Sequence, residues 1–154
     1  MSDTGAAGGA GHADCRVARV VALYQSLAPA DLPGLRGLYA SDASFKDPFN
    51  QVQGLAAIAR IFAHMFQTLD GPRFQVIGVV ADGDQLFLTW DFQCCTRGLG
   101  ARSLCIHGAS HLRFNTQGQV AMHRDYWDAA EELYEKLPAL GALMRWLKRR
   151  ASGI

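Results

Sequence analysis

The chain has 154 residues, of which 49% are hydrophobic and 19% charged, so it is long enough for one globular domain with a buried core. Fifteen Lys and Arg against fourteen Asp and Glu leave a formal net charge of +1, whereas nucleic-acid-binding proteins usually carry a basic excess. No apolar stretch approaches the roughly 20 residues needed to span a bilayer. We therefore expect neither a nucleic acid nor a membrane as a partner.

The first residues have the composition of a disordered segment. Residues 1–12 are rich in Gly and Ala, and they lack both the basic start and the apolar centre of a signal peptide. We expect them to be a disordered leader before a single domain over residues 13–150. The absence of an export signal predicts a cytoplasmic protein whose four cysteines stay reduced.

The cysteines do not show the spacing of a structural zinc site. Cys94 and Cys95 are adjacent, and the chain has no C-x-x-C pair. Cys105, His107 and His111 alternate along one predicted strand and could share a face, but we favour buried thiols and half-exposed imidazoles over a zinc site as their explanation. We predict no metal.

Apolar residues in the first half recur at spacings of three and four, which predicts three helices. The first begins near the N-cap residue Asp14 and ends before Pro29, and a short second helix follows Asp31. The third begins at Gly54 and ends at the Asp70-Gly71-Pro72 tripeptide. The segment Ala43–Asp47 between them is predicted to be extended.

The hydrophobic period changes from 3.6 to 2 after Arg73, which indicates strands. A last helix, interrupted at Pro138, follows the capping residues Asp128 and Glu131, and Leu140, Leu143 and Leu147 are predicted to pack it. This order predicts an α+β fold, with a curved antiparallel sheet packed on the N-terminal helices and an extra C-terminal helix. The predicted strands are Phe74–Val80, Gln85–Thr96, Arg102–Phe114 and Gln119–Trp127.

The last predicted strand carries a candidate acid–base pair. His123 and Asp125 are two residues apart and so share one face of the strand, about 6.5–7 Å apart along the backbone. An imidazole beside a carboxylate can move protons near neutral pH. The alternative is that both side chains lie on a solvated sheet face.

The run Leu38–Phe49, with Gly54 after it, and the run from Arg113-Phe114 through Gln117-Gly118 to Tyr126-Trp127 resemble the nuclear transport factor 2-like superfamily. Its ketosteroid isomerases and SnoaL-like polyketide cyclases share a cone-shaped α+β fold. The resemblance implies that fold here and a homodimer formed through the outer sheet face. That fold hosts enzymes, subunits and binding proteins alike.

The functional residues of ketosteroid isomerases are only partly matched in this sequence. Their proton-moving Asp falls on Asp47, but the helix Tyr falls on Leu23, one residue from Tyr24, and the protonated Asp falls on Ser110. The supporting Tyr of the third helix becomes Phe62. Because an oxyanion donor contributes much of the rate, this pattern argues against efficient steroid isomerisation. Tyr24, which lies on the apolar stripe of its helix, is the candidate for a shifted donor.

The same resemblance implies a set of polar residues on the cavity side. Three carboxylates, Asp47, Asp91 and Asp125, would then lie near one apolar cavity, and the pKa of at least one of them would be raised. Hydrogen bonds to backbone groups are an alternative role, and for Asp47 a turn cap before Pro48 is a serious one. The implied set is His123, Asp125, Trp127, Asp91, Gln93 and Ser110.

A second likeness is to limonene-type epoxide hydrolases, through the run Arg124-Asp125-Tyr126-Trp127-Asp128. Asp125 matches the first Asp of their Asp-Arg-Asp triad, but the other two positions fall on Asp91 and Gln93. Their water-binding Tyr and Asn fall on Phe45 and Asp47. This mechanism is the less favoured one.

We therefore predict an isomerase, cyclase or dehydratase that transfers protons on a hydrophobic carbonyl compound without a cofactor. A non-catalytic module that binds a hydrophobic ligand, or a dimeric interaction module, is the alternative. A dimer is also expected because Trp90, Phe92, Met122 and Tyr126 are predicted to face outward. The predicted catalytic residues are Asp47, His123 and Asp125, and the predicted substrate-binding residues are Tyr24, Phe62, Asp91, Gln93, Ser110 and Trp127.

Overall fold

A computed structural model of the protein describes residues 14–98, 101–132 and 138–151. The predicted leader, residues 1–12, lies outside the described residues. The helical elements are α1 (Cys15–Ser26), a 3₁₀ helix (Pro29–Gly37), α2 (Leu55–Thr68), α3 (Ala129–Glu132) and α4 (Pro138–Ala151). The strands are β1 (Tyr39–Lys46), β2 (Gln51–Gln53), β3 (Leu69–Asp82), β4 (Gln85–Thr96), β5 (Ser103–Phe114) and β6 (Val120–Tyr126).

The first helices form as the apolar spacing predicts. Asp14 caps α1 by accepting a hydrogen bond from the backbone N–H of Arg16 at 2.9 Å, and α1 then buries Val20 and Tyr24. The second helix is of the 3₁₀ type. Gly54 has a φ of 92°, a conformation that suits glycine, and turns the chain into α2.

One six-stranded sheet, in the order β2-β1-β6-β5-β4-β3, curves over the helices. Strands β3 to β6 form the predicted antiparallel meander. The sheet is mixed rather than purely antiparallel, because β1 pairs in parallel with β6. The sequence analysis did not predict β2, since three residues are too few to show an alternating pattern.

The boundary between α2 and β3 differs from the prediction. The helix ends at Thr68, and Leu69 and the tripeptide after it already belong to β3. Leu69 and Asp70 pair with Thr96 and Cys95, and the register then shifts before Arg73. Gly71, with a φ of 57°, lies in this irregular segment, so the turn-forming residues distort the start of a strand instead of forming a loop.

The side of the sheet on which the β4 residues lie also corrects an expectation. Trp90 and Phe92 are buried on the core side of the sheet, with 4% and 8% exposure, and do not face outward. Asp91 and Gln93, their neighbours along β4, therefore face away from the interior. The reason is packing, since one face of β4 carries five buried apolar side chains that only the core can cover. These are Leu86, Leu88, Trp90, Phe92 and Cys94.

The C-terminal helix α4 is more exposed than expected. Leu143 and Leu147, predicted to pack it, are about half exposed, and so is Trp146. The side chain of Leu140 lies outside the described residues. Lys148 of α4 forms an ion pair with Glu131 of α3 at 3.6 Å. None of the described helices combines the length and the apolar character needed to cross a bilayer.

The Trp90 ring lies over Gly108, its partner on β5, where there is no room for a side chain. A Cβ atom at residue 108 would lie 2.3 Å from the Trp90 Cη2 atom. We predict that Gly108→Ala displaces the indole and lowers the free energy of unfolding by about 1–3 kcal/mol, measured by urea denaturation. Gly34→Ala is the control, because nothing lies within 4 Å of a Cβ there. Equal stability of the two variants would contradict the packing described.

Candidate active site

An apolar cavity of about 290 Å³ lies between the sheet and α2. Phe62 projects into it from α2, Phe45 from β1, and Trp90 and Phe92 from β4. Its volume is at the lower end of the range for small-molecule sites, which suits a compound of one or two rings. Two carboxylates, Asp47 and Asp125, and the indole of Trp127 also line the cavity.

Beneath the cavity a buried serine joins three elements. The Ser110 hydroxyl of β5 lies 2.7 Å from the Tyr24 hydroxyl of α1. It accepts a hydrogen bond from the Trp90 indole N–H at 2.8 Å and donates one to Asp125 Oδ1 at 2.5 Å. Because a carboxylate can only accept hydrogen bonds, the Ser110 hydroxyl must donate its single hydrogen bond to Asp125. The Tyr24 hydroxyl therefore donates to Ser110.

His123 is buried behind this serine, with 2% exposure, and both of its ring nitrogens have partners. Nε2 lies 2.8 Å from Asp125 Oδ1 and 2.9 Å from the Tyr24 hydroxyl, and Nδ1 lies 2.6 Å from the Tyr39 hydroxyl. Tyr24 already donates its proton to Ser110, so Nε2 must carry a proton and Nδ1 accepts from Tyr39. The network is thus complete with a neutral His123 and an ionised Asp125.

This arrangement leaves one oxygen of Asp125 for a ligand. Both of its hydrogen bonds, from Ser110 and from His123, end on Oδ1. Within the described part of the chain, Oδ2 has no hydrogen-bond partner, and Asp125 lines the cavity. A carboxylate anchored through one oxygen can accept a proton on the other without moving.

Asp47 occupies a tight turn after β1. Its Oδ1 accepts from the backbone N–H groups of Phe49 and Asn50 at 2.7 and 2.6 Å, and the Asn50 side chain donates to both carboxylate oxygens. This is the turn-cap role that the sequence analysis named as an alternative. Asp47 also lines the cavity.

Two predicted site residues lie on the opposite side of the sheet. Asp91 contacts His107 on the outer face, with Oδ1 and Nδ1 2.5 Å apart, and Gln93 accepts from the Arg73 guanidinium at 2.6 Å. The expectation that they line the cavity is wrong. Tyr24 and Ser110 lie in the network beneath the cavity, while Phe62 and Trp127 line it.

The sequence analysis did not assign Tyr39 or Trp90 to the site. Tyr39 begins β1 and is buried, whereas the extended segment was predicted to begin only at Ala43, and Trp90 was expected to face outward. A signal was available for Trp90, because its partner on the next strand is a glycine. No local pattern marks Tyr39 as a partner of His123, 84 residues away.

One group on the outer face has the composition of a metal site. Ligand atoms of Asp91, Cys105 and His107 lie within 4.8 Å of one another. His111, the third residue of the alternating run, stacks on Phe87 and lies 2.9 Å from the Gln85 side chain instead. The three grouped residues could hold a soft divalent cation, but they lie apart from the cavity.

The two buried tyrosines have perturbed pKa values. Burial raises the pKa of Tyr24 and of Tyr39 well above the ordinary value of 10.0, and the negative charge of Asp125 raises both further. Both hydroxyls therefore stay protonated in the folded protein at pH values where an exposed tyrosine ionises. They act as hydrogen-bond donors in the network, not as bases.

We predict that Ser110→Ala destabilises the fold by roughly 3 kcal/mol, because it leaves the Trp90 N–H, the Tyr24 hydroxyl and the Asp125 carboxylate each short of a partner. Urea unfolding followed by tryptophan fluorescence measures the change. The matched control is Ser103→Ala at an exposed position of β5, for which the change should stay within about 0.5 kcal/mol. A loss below 1 kcal/mol in Ser110→Ala would contradict the network.

We predict that the free energy of unfolding is retained below about pH 10 and falls above it. The reason is that the unfolded chain releases the protons of Tyr24 and Tyr39 near the ordinary pKa of 10.0, whereas the folded protein keeps them. Each proton contributes a slope of about 1.4 kcal/mol per pH unit. Urea titrations above pH 10 should give a shallower slope for Tyr39→Phe, and an unchanged slope for the exposed control Tyr126→Phe.

Comparison with solved structures supports the fold that the resemblance of the sequence implies. The chain is 17% identical to a protein of Jannaschia sp. CCS1 designated a SnoaL-like polyketide cyclase, over 75% of this chain and 87% of that one, with a TM-score of 0.67. It is also similar to a protein of Catenulispora acidiphila DSM 44928 with a ketosteroid isomerase-like fold, solved with trimethylamine. That alignment has 17% identity, covers 77% of this chain and 88% of the other, and has a TM-score of 0.64.

A third similar structure is an LEH-like epoxide hydrolase of M. tuberculosis, with 16% identity, coverage of 87% of this chain and 96% of that one, and a TM-score of 0.64. At these identities the likeness shows a shared fold. No curated protein is significantly similar to the sequence. Residues 20–123, well over half of the chain, match the SnoaL-like domain family. The chain therefore belongs to the SnoaL-like domain family, with the α+β fold of nuclear transport factor 2 and ketosteroid isomerases.

Proposed function

We propose that the protein is a cofactor-free enzyme that moves a proton between atoms of a small hydrophobic carbonyl compound, with Asp125 as the base. The observation that carries this proposal is the uneven hydrogen bonding of the two carboxylate oxygens of Asp125. Its Oδ1 is anchored by Ser110 and His123, while Oδ2 is left without a partner at the wall of an apolar cavity. Because most of the cavity wall is apolar, a bound hydrophobic ligand would displace water from this carboxylate and contact it directly.

In the proposed reaction, Asp125 Oδ2 takes a proton from the carbon next to the carbonyl group, which leaves an enolate. The same carboxyl group then returns the proton either to another carbon of the substrate, as in an isomerase, or to the enolate oxygen of the substrate. The enolate oxygen needs a donor. Trp127 lines the cavity, and its indole N–H has no hydrogen-bond partner among the described residues, so we assign that role to Trp127.

In this proposal His123 does not transfer a proton itself, although the sequence analysis predicted it as the acid–base partner of Asp125. Its two nitrogens are occupied by Tyr39, Tyr24 and Asp125, and it does not line the apolar cavity. We therefore propose a positioning role, in which the imidazole holds the carboxylate in the geometry for proton transfer. Asp47, the remaining predicted catalytic residue, is proposed as a second charged group of the cavity.

A non-catalytic binding protein is the second candidate. The observation that favours it is the state of Asp47, the residue that corresponds to the base in ketosteroid isomerases. Both oxygens of its carboxylate accept hydrogen bonds within the turn, so a structural role alone would account for it. In that case the cavity would hold a ligand without changing it.

We predict that the protein catalyses exchange of the protons next to the carbonyl group of a bicyclic ketone, and that Asp125→Asn lowers this rate by about 10²–10⁴-fold. The probe is 2-tetralone in D₂O, and proton NMR follows its exchange above the buffer background. Asparagine keeps the size of the side chain but cannot accept the proton. Ketone affinity should therefore stay within a fewfold of the original protein.

Asp91→Asn is the matched control, because it makes the same substitution on the outer face of the sheet, and its exchange rate should be unchanged. His123→Gln should lower the rate less than Asp125→Asn and should shift its pH dependence. If Asp125→Asn keeps the full rate, the proposed base is wrong. Ketone binding without any exchange in the original protein would favour the binding protein.

A further inference from the structure

The cavity has an uneven distribution of charge. Seventeen residues line it, and seven of them are aromatic. Two are carboxylates, Asp47 and Asp125, and the described lining includes no Lys or Arg to balance them. The remaining polar lining residues are Asn50 and His64, and His64 is on the exposed side of α2. An anionic ligand would meet only like charge inside an apolar enclosure.

We infer that the cavity selects hydrophobic molecules that carry an alkylammonium group. Carboxylates attract such a cation directly, and the faces of aromatic rings attract it through their quadrupoles. The inference rests on the proposed function only in placing the ligand in the same cavity. It adds the charge of the ligand, which proton transfer from a carbonyl compound does not specify.

The two carboxylates have different surroundings, which allows them different tasks. Asp47 is fixed by hydrogen bonds from Phe49 and Asn50, most of them to Oδ1, so its charge has a constant position at the wall. Asp125 is anchored from below and keeps Oδ2 for the ligand. Asp47 is thus the counter-ion for the ammonium group, and Asp125 faces the reacting part of the same molecule.

The nearest cations do not reverse this charge. Lys46 and Arg124 line an open groove beside the cavity, which Asp47 and Asp125 also line, but neither cation is among the residues that line the cavity itself. The Arg124 guanidinium lies over the Tyr126 ring, 4.7 Å from its centroid. Both cations are exposed to water, which screens their charge, whereas a ligand in the cavity meets the two carboxylates among mostly apolar side chains. The charge that a ligand meets inside is therefore negative.

Three naphthalene derivatives of similar size test the inference: (2-naphthylmethyl)trimethylammonium, the neutral ketone 2-acetonaphthone and 2-naphthylacetate. Their dissociation constants are measured by isothermal titration calorimetry on the full chain at one ionic strength. The ammonium compound should bind at least tenfold more tightly than the ketone, and the carboxylate at least tenfold more weakly than the ketone. Asp47→Asn should reduce the ammonium preference at least fivefold, whereas Asp91→Asn on the outer face should leave it unchanged.

The outcomes separate this inference from the proposed function. Equal binding of the three compounds, tighter binding of the carboxylate, or no binding of any of them would overturn charge selection. Catalysed exchange of 2-tetralone with equal binding of the three would leave the enzyme proposal intact and refute only the selectivity. Tight ammonium binding without any exchange would support the selectivity and refute the proton transfer.

Discussion

The hydroxyl group of Ser110 is the contact on which the rest of the site depends. It is fully buried, and it joins the indole of β4, a tyrosine of α1 and a carboxylate of β6. Each of these groups would cost free energy if it were buried without a partner. Because one oxygen atom satisfies all three, the fold can place an ionised carboxylate beneath an apolar cavity. The same contact fixes α1 against the sheet.

The hydrogen-bond network gives most of its members a structural role. Tyr39, His123 and Tyr24 complete their hydrogen bonds with one another and with Asp125, so none of them is left to act on a ligand. Ser110 and His123, the buried polar residues of the described core, both belong to this network, and seven of the seventeen residues that line the cavity are aromatic. In such surroundings a charge acts more strongly than in water.

The sequence predicted the helices and the meander well, because their apolar periods of 3.6 and 2 are local properties. It could not predict the parallel pairing of β1 with β6, which joins segments about 80 residues apart. The proximity of His123 and Asp125 followed from their spacing, and their side chains do meet at 2.8 Å. The side on which Asp91 lies did not follow, because alternation defines two faces without saying which one is buried. That choice is made by the packing of the whole sheet.

Membership of the SnoaL-like family establishes the fold and leaves the chemistry to the individual side chains. In the ketosteroid isomerases that the sequence resembles, the position of Ser110 holds a protonated Asp that binds the substrate oxygen. Here the shorter hydroxyl cannot reach into the cavity while it serves three buried partners. A single replacement thus turns a group that contacts substrate into one that supports Asp125. We therefore propose that the base and the donor come from other residues of the cavity wall, Asp125 and Trp127.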